Sequence, residues 1–209
     1  MTDNQIQNLK DDIAFMKALA QEGQQTPLLG GAILVAAGLT FGLASVAHWA
    51  LMTGQLSLGT RWAPLIIWGG ALAVFFVALT VLRRRIGGKP GAGSPGNRAF
   101  GMAWASVGWT IFALSGAIAV IAYKTHSPII TAIFPSLILA LYGGGWSVAA
   151  AMARKTWLWL TAIGSYVAAV VVAWFCTSPV IFLVYAAALM LLAVLPGFML
   201  MRQEPSDTI

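Results

Sequence analysis

The sequence predicts an all-α, polytopic integral membrane protein with six transmembrane helices and a cytoplasmic N-terminal amphipathic helix. Of its 209 residues, 59% are hydrophobic and 9% charged, and the mean hydropathy is +0.84, whereas about 25% of the residues in soluble domains are charged. Six uncharged runs are each long enough to cross a hydrocarbon core of about 30 Å as a helix. They lack the polar–apolar alternation of a transmembrane β-barrel.

The first element is the polar segment 1–26, in which apolar residues recur at spacings of three and four. Such spacing places Ile6, Leu9, Ile13 and Met16 on one stripe of a helix. The segment carries four acids and two lysines, which disfavours simple attraction to anionic lipid. Two interpretations stay open. The helix folds against the protein's own cytoplasmic surface, or it docks onto a cytoplasmic partner protein.

The transmembrane domain follows over 27–202, and a cytoplasmic tail covers 203–209. Its uncharged runs are 28–52, 62–82, 99–123, 128–153, 156–176 and 179–201. The last two runs are continuous in composition, so a turn must divide them. Thr177-Ser178-Pro179 is the best place for it, because hydroxyl residues cap helices and proline suits a first helical turn.

The basic residues are shared unequally between the two sides of these helices. Ten of the 12 Lys and Arg belong to one side, which holds both termini and the Gly- and Pro-rich loop 83–98. The positive-inside rule makes that side cytoplasmic in a plasma (inner) membrane, and the loop's composition predicts flexibility. We expect Arg83, Arg84 and Arg85 to contact lipid headgroups. Basic residues at helix ends argue against a nucleic acid partner.

The six runs contain no Asp, Glu, Lys, Arg, Asn or Gln. Proton-coupled carriers and intramembrane aspartyl proteases need a carboxylate within the bilayer, and two histidines with one cysteine cannot close a zinc site. We therefore expect no enzyme and no cofactor. The favoured function is that of a regulatory, accessory or interaction subunit of the membrane.

His48 and His126 are the remaining candidates for a cofactor or metal site. The predicted topology places both near the outer membrane face, so a shared haem or labile-metal site is one interpretation. The favoured alternative is two separate histidines at the membrane interface, because nothing in the sequence brings them together.

The fourth helix contains Pro135 and three consecutive glycines, Gly143, Gly144 and Gly145. Proline removes a backbone hydrogen bond, and glycine weakens a helix. The alternative function is therefore a small transporter or channel for a neutral or amphipathic solute, gated at this helix. The favoured interpretation is a flat helix surface against which aromatic side chains pack.

Small residues also form stripes on the first and third helices. On the first helix the stripe includes Gly38 and Gly42, a G-x-x-x-G pair that allows close helix packing. Packing within the chain is favoured, and a homo-oligomer through Gly38 and Gly42 is the alternative. Three deep tryptophans need hydrogen-bond partners if they are buried: Trp68, Trp109 and Trp146.

Overall fold

The computed structural model describes residues 7, 10, 12–14, 27–127 and 129–204. Within this part of the chain, six helices are long and apolar enough to cross a membrane. They are α1 (Gly31–Met52), α2 (Ala63–Gly87), α3 (Pro95–Thr125), α4 (Ile129–Ala153), α5 (Thr156–Trp174) and α6 (Ile181–Met201). The predicted fold class is thus confirmed for the six helices.

The N-terminal amphipathic helix stays a prediction. Residues 7, 10 and 12–14 are helical, and Ile13 is exposed. The other three residues of the predicted stripe, Ile6, Leu9 and Met16, lie outside the described residues.

The helices follow one another in space in the order α2, α1, α6, α5, α4, α3. Helix α1 packs along α6, α4 packs along α5, and α5 contacts α6. The two end helices pack mainly against one neighbour each, α2 against α1 and α3 against α4. In the most apolar 18-residue stretch of each helix, the buried share is 50% for α6, 6% for α3 and zero for α2. The core therefore lies among α1, α4, α5 and α6.

Glycines bring the backbones of α1 and α6 into direct contact. A Cβ atom added at Gly31 would lie 2.4 Å from the carbonyl oxygen of Gly197. One added at Gly38 would lie 2.5 Å from Val194 Cγ2, and one at Gly42 would lie 2.6 Å from Met190 Cε. The stripe thus packs within the chain, as favoured from the sequence. Because α6 covers Gly38 and Gly42, their surface is already occupied in the folded chain.

Two helices depart from regular α geometry. Helix α4 is interrupted at Ile133, and Pro135 then lies in the first turn of its longer part, Phe134–Ala153. Helix α6 contains a π-helical turn, Met190–Val194, between Ile181–Leu189 and Leu195–Met201. The break in α4 lies where the sequence predicts a kink, since proline suits a first turn and not an interior one.

The connection between α2 and α3 is shorter than the uncharged runs suggest. Helix α2 continues to Gly87, and α3 begins at Pro95 because the Ser94 hydroxyl caps it by accepting a hydrogen bond from the Asn97 backbone N–H at 3.3 Å. The basic loop is therefore Gly88–Ser94. The turn between α5 and α6 lies where it was predicted, and the Ser178 hydroxyl accepts from the Val180 N–H there.

Candidate functional site

The two histidines have different neighbours. His48 lies on α1, and its Nδ1 accepts a hydrogen bond from the Trp68 indole at 3.2 Å. Its ring also lies 4.3 Å from that of Phe182 on α6. His126 ends α3 with a φ of 52°, and its nearest described ring is that of Tyr123. No described contact is common to the two residues, and the shared haem or metal site stays a prediction.

The three consecutive glycines of α4 face three different environments. A Cβ atom at Gly143 would lie 2.5 Å from the ring of Tyr166, and one at Gly145 would lie 3.5 Å from the ring of Trp104. The Tyr166 ring of α5 thus packs against Gly143, and the Trp104 ring of α3 packs against Gly145. This arrangement matches the flat-surface interpretation. At Gly144 the nearest atom is the Tyr166 hydroxyl at 4.0 Å, so that position is open.

Gly144 opens onto a groove of about 340 Å³ between α3 and α4. Apart from Leu141, Val107 and Val148, the lining side chains are small: Ala103, Ser106, Thr110, Ala140, Gly144 and Gly145. Among the described residues, no hydrogen bond is found for the hydroxyls of Ser106 and Thr110, nor for the buried hydroxyls of Ser45 and Ser136. Six membrane hydroxyls do donate to a carbonyl of their own helix, namely those of Thr80, Ser115, Thr125, Ser147, Thr161 and Ser165.

A buried hydrogen bond links the π turn of α6 to α4. The indole of Trp146, which is fully buried, donates to the carbonyl oxygen of Leu192 at 2.8 Å. In a regular α-helix this carbonyl would accept from the N–H of residue 196, but Pro196 has none. The Leu195 N–H instead donates to Met190, five residues back. Trp146 therefore donates to a carbonyl that lacks its regular α-helical donor because residue 196 is proline.

The side chain of Asn97 joins three segments at the basic ends of the helices. Its Oδ1 accepts from the Leu29 N–H at 2.8 Å. Its Nδ2 donates to the carbonyl oxygens of Pro27 at 3.0 Å and Gly91 at 2.9 Å. Asn97 is 9% exposed. It therefore holds the segment before α1 against the basic loop and the start of α3.

Glu204, just after α6, contacts the start of α1 and the basic loop. Its Oε1 accepts from the N–H groups of Gly30 and Gly31 at 3.2 Å each, and its Oε2 pairs with Lys89 Nζ at 2.9 Å. The carboxylate is 5% exposed. It lies at the positive end of the α1 dipole, where an anion is stabilised. Gly30 has a φ of 120°, which a residue with a Cβ rarely adopts.

We name these contacts of Lys89, Asn97 and Glu204 the basic-side clasp. Beyond the clasp, Lys155 Nζ donates to Gln203 Oε1 and fixes the end of α6 to the start of α5. Arg83, Arg84 and Arg85 lie near the end of α2, the last two in its final turn, and all three are exposed. The predicted headgroup contact of these arginines stays a prediction, but the clasp shows that their loop is tied to α1 and to the C-terminal end of α6.

Sequence reasoning missed both Asn97 and Glu204. Asn97 precedes the third uncharged run, and Glu204 follows the sixth. The available signal was the pair Ser94-Pro95, which is typical of a helix start. It would have placed Asn97 in the first turn of a membrane helix, where a buried amide needs partners.

No family model, curated protein or solved structure matches the chain.

Proposed function

We propose that the chain is a non-enzymatic interaction subunit of the plasma (inner) membrane, which presents its basic side and the segment 1–26 to a cytoplasmic protein partner. The observation that carries this proposal is the basic-side clasp. It fixes residues 27–31 to the loop Gly88–Ser94 and to Glu204. The residues that directly follow the segment 1–26 are therefore held at a fixed place on the bundle.

The surroundings of that point support a role in binding. The arginines at 83–85 are exposed on the adjacent end of α2, as are Arg98 and Arg154 on other helices of the same side. The apolar stripe predicted for the segment 1–26, together with these basic side chains, would suit a partner that combines an apolar groove with acidic residues. With ten basic residues against two on the opposite side, both termini are proposed to be cytoplasmic.

Affinity purification in mild detergent tests this proposal. The full chain should recover one protein in a fixed ratio, and a chain without residues 1–26 should lose it. The deletion spares residues 27–31 and hence the clasp. Serine in place of Ile6, Leu9, Ile13 and Met16 should have the same effect, whereas serine at Asn4, on the opposite face of the predicted helix, should not. Failure to recover any protein, or equal recovery with all variants, would contradict the proposal.

The second candidate function is a transporter or channel for a neutral or amphipathic solute. The observation in its favour is the open position of Gly144 in the groove between α3 and α4. Under this hypothesis, Gly144→Leu should abolish solute flux in proteoliposomes. Gly116→Leu is the control, because an added Cβ at Gly116 meets nothing within 4 Å. Equal flux for the two variants would remove the support for a gate at Gly144.

A further inference from the structure

We propose that the contact between His48 and Trp68 is an acid-sensitive joint, and that protonation of His48 releases the nearby end of α2 from α1. The contact lies at the opposite end of these helices from the basic-side clasp, and we name that side of the bundle the non-basic side. The joint goes beyond the proposed function, and neither depends on the other.

The hydrogen bond between the two side chains requires a neutral imidazole. An indole N–H can only donate, so the Nδ1 atom of His48, which lies 3.2 Å from the Nε1 atom of Trp68, carries a lone pair. The proton of neutral His48 is therefore on Nε2. A second proton turns Nδ1 into a donor that faces another donor, and the hydrogen bond is lost.

Helix α2 has little else to hold it at this end. Among the described residues, the bond from Trp68 is the only hydrogen bond that joins α2 to another helix. Of the described α2 side chains, only Trp68 packs against the main apolar core. Phe75 also contacts Phe41 of α1, but it lies seven residues, or about 10 Å, further towards the basic side. Loss of the bond therefore loosens the non-basic end of α2, with the contact of Phe75 as the pivot.

Helix α6 offers the charged imidazole a different partner. The ring of Phe182 lies 4.3 Å from that of His48, and an aromatic ring attracts a cation within about 6 Å of its centre. Protonated His48 thus loses its partner on α2 and keeps one on α6. The same side chain can therefore join α1 to α2 when it is neutral and favour α6 when it is charged.

His48 is the group that titrates at this contact. It is the only titratable side chain of α1, and the groups that face it from α2 and α6, Trp68 and Phe182, do not titrate. Arg61, just before α2, stacks on the ring of the next residue. Tyr185 of α6 is buried, and among the described residues no contact joins it to His48.

The position of the pair allows protons to reach it. His48 lies four residues before the end of α1, and Trp68 lies five residues after the start of α2, which places both about 6 to 8 Å from the helix ends. Both side chains are partly exposed. Histidine is also the side chain whose ordinary charge change falls between about pH 5 and about pH 8.

Distances between spin labels on α2 and α5 test the release. Cys176→Ser removes the one cysteine of the chain, and labels are attached at Leu65→Cys and Val170→Cys, which are exposed positions. Two helices, α1 and α6, lie between the labelled ones. The full chain is measured in lipid nanodiscs, where both sides experience the same pH. Between about pH 8 and about pH 5, the ratio of a longer to the original distance should rise about tenfold, corresponding to about 1.4 kcal/mol.

Three variants assign this response to the joint. His48→Gln keeps an acceptor that does not titrate, and Trp68→Phe keeps a ring but has no donor, so the distances should be independent of pH in both. His126→Gln is the matched control, because His126 is the other histidine and ends α3 on the same side; it should respond as the parent does. Equal distances at the two pH values in the parent would overturn the proposal. So would a response that survives in His48→Gln or in Trp68→Phe, or one that His126→Gln abolishes.

Discussion

Replacement of Trp146 by phenylalanine should destabilise the bundle by removing one hydrogen bond in its core. The indole donates to the Leu192 carbonyl oxygen at 2.8 Å, and Pro196 lacks the N–H that would be the α-helical donor to that carbonyl. A buried carbonyl that loses its donor costs about 1–3 kcal/mol. The smaller ring adds a cavity cost of about 1 kcal/mol. We expect the free energy of unfolding to fall by about 2–4 kcal/mol.

A double-mutant cycle with Pro196→Ala isolates the hydrogen bond from the cavity. Alanine at position 196 restores a backbone N–H four residues after Leu192, so the carbonyl has a second donor. The cost of Trp146→Phe should then fall by about 1 kcal/mol or more. The assay is reversible unfolding in mixed detergent micelles, followed by far-ultraviolet circular dichroism so that the loss of a tryptophan does not affect the signal.

Trp109→Phe is the matched control for this experiment. Trp109 is 73% exposed, and no hydrogen bond of its indole is described. Its replacement should change stability by less than about 0.5 kcal/mol. If Trp146→Phe costs the same with proline and with alanine at position 196, the indole does not compensate for the proline, and the explanation of the π turn is wrong.

Three further substitutions test the clasp and the contact between α1 and α6. Asn97→Ala should lower the free energy of unfolding by about 2–3 kcal/mol, since three hydrogen bonds are lost; Asn97→Asp, which keeps only the acceptor, should recover part of this loss in the same denaturation assay. Glu204→Gln keeps an acceptor for the α1 N–H groups but removes the charge, and it should lower the free energy of unfolding by about 1 kcal/mol. High salt should reduce this difference, because it screens the charge interactions of Glu204 in the parent protein. Gly31→Ala should be severely destabilising, because the added Cβ would lie 2.4 Å from a backbone oxygen of α6; Gly69→Ala, where an added Cβ meets nothing within 4 Å, should be neutral or slightly stabilising. A thermal stability ranking in which Gly69→Ala is the weaker of the two would contradict the packing described for α1.

The number and approximate limits of the membrane helices could be predicted from the sequence. Apolar length is a local property, and the turn at Thr177-Ser178-Pro179 is marked by hydroxyl residues and a proline. The ends were less accurate where a helix continues through polar residues. Helix α2 extends through its arginines to Gly87, since long basic side chains at a helix end can reach the interface.

The neighbours of each helix could not be predicted in the same way. A soluble helix shows its buried face by its apolar stripe, but every face of a membrane helix is apolar. Gly31 and Gly38 indicate that some helix approaches α1 closely, and nothing local to them identifies α6. Likewise, Pro196 indicates that the carbonyl four residues earlier lacks its α-helical donor, but only the fold brings Trp146 to it.

The clasp was missed for a related reason. Asn97 lies 68 residues from Leu29 along the chain, and Glu204 lies 174 residues from Gly30. Each residue lies in a segment whose composition predicts a loop or a tail. Their role depends on the helix ends meeting on one side, which is a property of the assembled bundle.

The central claim is that the basic side of the membrane helices faces the cytoplasm, and a topology measurement tests it most directly. Reporter fusions after Arg85, after Lys155 and after Arg61 would be compared in cells, with alkaline phosphatase as the external reporter and a fluorescent protein as the internal one. We expect the fusions after Arg85 and Lys155 to fluoresce and the fusion after Arg61 to be an active phosphatase. Phosphatase activity after Arg85 would place the basic side and the clasp outside the cell, and would contradict a cytoplasmic partner.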